Sequence, residues 1–222
     1  MKMDSLVEVK DIKVGKGMTV DALVRAMGGS GGFTAQKLAN ATDLAERMAR
    51  DDGCLRILSF PACIMATGTR GVIVDLVKDG LVDLIITTCG TLDHDLSRTW
   101  KAYFKGDFLM DDAKLRDTGV SRLGNVLVPD ECYGEVLEER LAPMFEEIFA
   151  ETRSLSTREI IDAVGSRLDD EDSLLYQCHR HGVPVFVPGI TDGSFGCQLW
   201  MYYQMHRDLR DRKSTRLNSS HI

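Results

Sequence analysis

Three short stretches combine residue types that bind and react with small molecules: Phe60-Pro61-Ala62-Cys63-Ile64-Met65-Ala66, Thr87-Thr88-Cys89-Gly90-Thr91-Leu92-Asp93-His94-Asp95 and Pro188-Gly189-Ile190-Thr191-Asp192-Gly193-Ser194-Phe195-Gly196. The first sets a thiol among small and apolar residues. The second has small residues that let backbone approach a ligand, then two carboxylates and an imidazole. The third places one carboxylate, Asp192, among three glycines, more backbone freedom than a simple connector needs. Each stretch follows an apolar run that reads as a strand. In an open parallel sheet, ligands bind beyond the carboxyl ends of the strands, where the following helices point their positive N-terminal ends. Together the three stretches fit a cofactor-sized ligand and specify no reaction.

Each of these residues also has a plainer reading. Glycines after strands mostly make turns. Asp93 and Asp95 fall in the first turn of an expected helix, where a carboxylate contributes about 0.3–1 kcal/mol against the helix dipole. Taken alone, that is the better account of the pair. His94 between two acids makes no three-ligand metal site, because successive helix positions diverge. His179 and His181 diverge in the same way and are read as surface or helix-end residues. Cys89 is either a thiol acidified by a helix N-terminus or, more commonly, a small buried cysteine. Trp200, Tyr202 and Tyr203 are read as core, and the GGSGG run at 28–32 lacks the preceding strand of a dinucleotide fingerprint.

The elements that must position these loops alternate in period. Residues 19–27 and 34–50 read as amphipathic helices separated by the glycine run. Short apolar runs at 55–60, 84–88, 125–128 and 184–187 read as strands, and 84–88 lacks alternation, as in a strand covered on both faces. Helices are expected around Val72–Val77, from Leu92 to Trp100, over 131–150, after the capping box Ser156-Thr157-Arg158-Glu159, and over 174–180 ahead of Gly182. Residues 101–124 read as a polar stretch. The alternation predicts an α/β fold with a mostly parallel sheet and helices on both faces.

Composition limits the partners. The chain has 222 residues, 34 acidic against 27 basic side chains and a formal charge of −7, scattered rather than blocked, which argues against nucleic acid and favours a cationic partner. No apolar run reaches the ~18 residues that cross a bilayer, and the N-terminus has no signal-peptide core, so a soluble, cytoplasmic protein with no membrane partner is expected. The six cysteines show no CxxC spacing and read as reduced thiols. Residues 211–222 (DRKSTRLNSSHI) resemble a translated sequencing-adapter oligonucleotide and are set aside as a non-native tail.

In combination, TTCGTLDHD, SRLGNVLVPDECY and VPVFVPGITDGSFG, with DALVRAMGGSGGFTAQKLANA near the N-terminus, resemble the deoxyhypusine synthase family over residues 10–205. The resemblance implies a Rossmann-like NAD-binding fold, of which residues 1–210 would be the N-terminal part of a single domain, and a homotetramer when full length. It implies NAD-dependent transfer of the aminobutyl group of spermidine to a lysine of the hypusine-bearing translation factor precursor. By position it puts NAD contacts on Ala62, Cys63, Ile64, Met65 and Ala66, on Thr88, Cys89 and Gly90, on His94, and on Asp192 as the ribose-side acid. The amine side falls on Asp93, His94 and Cys197. Here the chain departs from the family, with His94 and Cys197 standing where acids are expected. The imine-forming lysine is expected beyond residue 210, since Lys101, Lys105 and Lys114 do not match it, so no catalytic residue is assigned and the fragment is expected to be inactive. Two alternatives stay open: a homospermidine synthase-like or other polyamine aminoalkyl transferase acting on a free amine, and a silent paralogue assembling with an active subunit.

Overall fold

The computed structural model describes residues 6–206, so the tail at 211–222 lies outside the described residues. The chain divides into two compact units, Met1–Arg56 and Ile57–Ile222. In the first, helix α1 (Val20–Gly29) packs on helix α2 (Ala35–Arg50), and the Thr19 hydroxyl caps α1 by accepting the Ala22 N–H at 3.1 Å. The turn between them uses Gly31 at φ 63°.

The second unit carries the three loops. Strands β1 (Ile57–Phe60), β2 (Leu84–Thr87) and β6 (Val185–Phe186) form a parallel sheet in the order β1-β2-β6. Ile57 pairs with Leu84, and Ile85 with Val185, so all three strands end on the same side. A short 3-10 turn at Ala62–Ala66 and helix α3 (Thr69–Lys78) connect β1 to β2, and helix α4 (Gly90–Trp100) leaves the end of β2. Gly80, at φ 65°, supplies a left-handed turn after α3.

The stretch read as polar holds structure that period alone did not reveal, and the strand expected at 125–128 pairs antiparallel with it instead of joining the parallel sheet. Strands β3 (Phe104–Lys105), β4 (Val120–Leu123) and β5 (Val126–Pro129) make an antiparallel sheet in the order β3-β5-β4, with helix α5 (Asp112–Asp117) before β4. β3 is two residues long and β4 alternates half-buried with exposed positions, too little apolar signal to stand out. The parallel sheet is therefore joined by a second sheet of equal strand number.

Helix α6 (Gly134–Glu151) buries Val136, Leu137, Leu141, Phe145 and Ile148, as its amphipathic pattern predicts, while Met144 is only partly buried. Helix α7 (Thr157–Gly165) opens on the expected capping box: Ser156 Oγ accepts the Glu159 N–H at 3.3 Å, and Glu159 Oε2 accepts the Ser156 N–H at 2.7 Å. Helix α8 (Leu174–His181) stops at Gly182, and helix α9 (Ser194–Met205) follows the third loop. His179 is exposed and its Nδ1 sits 2.9 Å from Asp162 Oδ1, in keeping with a surface reading.

The core is built around α4, whose Leu92 and Leu96 are fully buried and which packs against α6, α8 and α9. Phe145 meets Phe195 edge-on at 5.6 Å between ring centres. The aromatic reading of α9 needs one correction. Tyr202 is buried and Tyr203 packs against the core, but Trp200 is 57% exposed because it lies on the helix face away from α6. Among the described residues no helix is long and apolar enough to cross a membrane.

Candidate functional site

The ends of the three parallel strands surround a cavity of about 560 Å³ lined by Ser59, Phe60 and Pro61, by Ile86, Thr87, Thr88 and Cys89, and by Pro188, Gly189 and Asp192. Its volume falls in the ~300–1,000 Å³ range of small-molecule sites. Thr88 and Asp192, far apart in sequence, line the same space. Asp192 and Thr88 are exposed, and the Asp192 carboxylate has no hydrogen-bond donor among the described residues. Gly90 stands beside the cavity rather than in its wall.

Specific contacts fix the first two loops to each other. The Thr88 hydroxyl accepts the Ala62 N–H at 3.1 Å, and the Thr87 hydroxyl donates to the Phe60 carbonyl at 2.7 Å. A Cβ on Gly90 would stand 2.9 Å from that of Ala62, so only glycine lets the loops approach this closely. Residues 62–66 themselves face elsewhere. Met65 and Ala66 are buried in the core, Cys63 is exposed, and none of the five lines the cavity. The cavity wall comes instead from Pro61 and the strand ends; Phe60, Pro61 and Thr87 belong to the stretches singled out from the sequence, and Ser59 and Ile86 precede them.

The acids of the second loop point into the protein. Positions two apart on a helix lie about 200° apart around the axis, so Asp93 and Asp95 face opposite sides of α4. Asp93 is fully buried and accepts the Ser194 N–H at 3.0 Å, the Phe195 N–H at 2.7 Å and the Tyr133 hydroxyl at 2.7 Å. Asp95, also fully buried, accepts the Leu174 and Leu175 N–H groups at 2.9 Å each, the Ser173 hydroxyl at 2.8 Å and Arg70 Nε at 2.7 Å. One helix thus caps two others, α9 and α8. The expected role at their own helix end is replaced by long-range capping, a role that spacing within one segment cannot reveal.

His94 lies between those two faces. Its Nδ1 is 3.0 Å from the Tyr103 hydroxyl, its ring lies 5.5 Å from that of Tyr133, and burial lowers its pKa, which keeps the imidazole neutral at pH 7. It opens on a second cavity of about 590 Å³, shared with Asp130, Tyr133, Glu135, Glu138 and Gln198. Neither cavity includes Cys197, which is exposed in the first turn of α9 next to Gln198. The structure therefore separates His94 from Thr88 and Asp192. No lysine lines either cavity, and no group of three His, Cys, Asp or Glu that could hold a metal occurs among the described residues.

Cys89 settles between its two readings. Burial, and next the Asp93 charge, push its thiol up to about 12, and Sγ donates to the Ile190 carbonyl at 2.9 Å. The helix N-terminus does not acidify it, because desolvation of a thiolate outweighs the dipole. Near pH 8 a thiol reagent is expected to modify exposed Cys63 and Cys197 in the folded chain and to leave Cys89 unmodified. Mass spectrometry of the alkylated chain checks this, and early labelling of Cys89 would contradict the assigned burial.

The family model for deoxyhypusine synthase matches residues 22–219. The chain belongs to the deoxyhypusine synthase family. Relatives include a "Probable deoxyhypusine synthase" of Picrophilus torridus, 48% identical over 202 residues, and one of Thermoplasma acidophilum, 45% identical over 202 residues; each alignment covers 91% of this chain. The chain spans 65% of the length of these two relatives. A crystal structure of a deoxyhypusine synthase candidate from Entamoeba histolytica superposes with a TM-score of 0.64 at 19% identity, covering 91% of this chain and 72% of that one. At that identity the likeness speaks for the fold. The α/β architecture with a parallel sheet is thus that of this family.

Proposed function

We propose that this chain forms the nucleotide-holding part of an NAD-dependent aminobutyl transferase that moves the aminobutyl group of spermidine to a lysine of the hypusine-bearing translation factor precursor. The observation that carries the reading is the cavity at the strand ends, with Thr88 and Asp192 on its wall in a chain of this family. The residues present fit a nucleotide. Asp192 offers an unengaged carboxylate that can accept both hydroxyls of a ribose, and α4 begins at the cavity, where an N-terminal helix end favours phosphate. When bound, the nicotinamide ring supplies a hydride acceptor for oxidation of the amine. This chain's own residues bind and orient: Asp192 fixes the ribose, Thr88 ties the second loop to the first, Cys89 lines the cavity, and Gly90 beside it lets the first two loops pack closely.

On the amine side, neutral His94 can accept a hydrogen bond from an ammonium group through a ring nitrogen, and Asp130, Glu135 and Glu138 provide charge around the same cavity. Neither cavity is lined by a lysine, and on this reading the amine that carries the aminobutyl group between donor and acceptor belongs to a part of the protein outside the described residues. The neutral side chains of His94 and Cys197, where the family pattern has acids, favour a second reading in which a free amine is the acceptor.

Incubating the complete protein with NAD and spermidine, with and without the translation factor precursor, distinguishes the two. Deoxyhypusine on the precursor is the expected product. Transfer only to small amines would replace the first reading by the second, and absence of any nucleotide-dependent spermidine cleavage would remove both.

A further inference from the structure

We infer that Asp93 is a positioning residue that holds the Asp192 loop in shape for the nucleotide, and is not a contact to the amine. This rests on the reading of the strand-end cavity as the nucleotide site. The carboxylate is fully buried and already has three donors, the Ser194 and Phe195 N–H groups and the Tyr133 hydroxyl, at 3.0, 2.7 and 2.7 Å. An ammonium group reaching it would have to displace them.

What those donors belong to gives the role. Ser194 and Phe195 are the first residues of α9, and the residue at its cap position, Gly193, has no side chain with which to satisfy their amides. Asp93 does so from α4. Gly193 must be a glycine for this to work, because a Cβ there would stand 2.7 Å from Asp93 Oδ2 and 2.8 Å from Cys89 Sγ. On the other side of Asp192, the Ile190 carbonyl accepts the Cys89 thiol at 2.9 Å. Asp192 is thus bracketed by two attachments, Ile190 to Cys89 and Ser194-Phe195 to Asp93, and both lead to the start of α4 beside Thr88. The same helix turn that supplies the second loop sets the geometry of the third.

The arrangement requires a carboxylate. Its two oxygens can accept three donors at once, whereas an asparagine has one acceptor oxygen and turns an NH₂ toward backbone N–H groups. Asp93→Asn in the complete protein is therefore expected to speed amide hydrogen exchange at Ser194 and Phe195 by about tenfold or more and to weaken NAD binding about tenfold, with spermidine affinity within about twofold of wild type. Leu174 and Leu175, held by Asp95, should keep their protection.

Ser194→Pro is the second variant. Proline suits the first position of a helix; it removes one donor, and its ring carbon stands where the N–H pointed, so Asp93 Oδ2 must also move out of that contact. It is expected to weaken NAD about threefold and leave spermidine unchanged. If Asp93 were an amine contact, displacing its carboxylate would change spermidine affinity more than NAD affinity.

Calorimetric titration with NAD and with spermidine, together with exchange mass spectrometry, reads all of these. Loss of spermidine affinity in Asp93→Asn with unchanged exchange and NAD binding overturns the inference, as does a larger change for spermidine than for NAD in Ser194→Pro, which decides the matter alone if Asp93→Asn does not fold. If the wild-type protein fails to bind NAD, the functional reading fails separately, and the exchange comparison still decides whether Asp93 holds the loop.

Discussion

Asp95→Ala is expected to destabilise the chain by about 3–5 kcal/mol, the range for removing one partner of a buried ion pair. Arg70 is 5% exposed, and its Nε donates to Asp95 Oδ1 at 2.7 Å, while Nη2 reaches the Thr99 hydroxyl at 2.9 Å and Asp170 Oδ2 at 3.4 Å. Without Asp95 the guanidinium keeps only the more distant carboxylate. The Leu174 and Leu175 amides and the Ser173 hydroxyl lose their acceptor too, so α8 starts with unsatisfied donors in a buried setting. A loss of this size is a large part of the ~5–15 kcal/mol by which a domain is stable. Urea unfolding followed by circular dichroism measures it, and a change below about 1 kcal/mol would mean that the buried network contributes little. Replacing Arg70 as well by an apolar residue of similar length should recover part of the loss, because the stranded charge is then gone.

Asp192→Ala is expected to act on affinity and not on folding. The side chain is exposed and without a donor among the described residues, so its removal should leave the unfolding midpoint within the scatter of a surface substitution, about 0.5 kcal/mol. A carboxylate accepting hydrogen bonds from ribose hydroxyls makes charge-assisted bonds worth about 1.5–3 kcal/mol, so NAD affinity should fall roughly ten- to hundredfold. Asp192→Asn, which keeps one acceptor, should fall between. Titration of the variants with NAD beside wild type checks the order. Equal affinity across the three would put the ribose elsewhere. The contrast with Asp95 follows from burial alone: two aspartates in comparable glycine-rich or helix-start contexts, one fully enclosed by donors and one facing open space.

Much of this arrangement was legible in the sequence, and the omissions have physical causes. The β-branched run at Leu84–Thr87, the capping box at Ser156 and the left-handed glycines at Gly80 and Gly182 are local signals, and each structural feature they predict is present within a residue or two. That the three loops share one end of a parallel sheet also follows from alternation, because parallel strands joined by helices all finish on one side. What period could not supply was long-range pairing. Asp93 and Asp95 lie in the first turns of α4, where a local reading assigns both to their own helix, yet the partners they hold at the starts of α8 and α9 are 78 to 102 residues away. Of the antiparallel sheet only the central strand at 125–128 was legible, because Phe104–Lys105 is too short to carry a period and Val120–Leu123 alternates with weakly apolar residues. Residues 62–66 lie beside the cavity without lining it, and burial of Met65 and Ala66 in the core is a property of packing that position in a motif does not reveal.

Amide hydrogen exchange of the complete protein with and without saturating NAD tests the account most directly, because it reports which backbone the nucleotide covers. Slowed exchange concentrated at residues 60–62, 87–90 and 188–193 is the predicted result. Slowing confined to the His94 cavity, around residues 128–138, or no slowing anywhere while the nucleotide is bound, would contradict it.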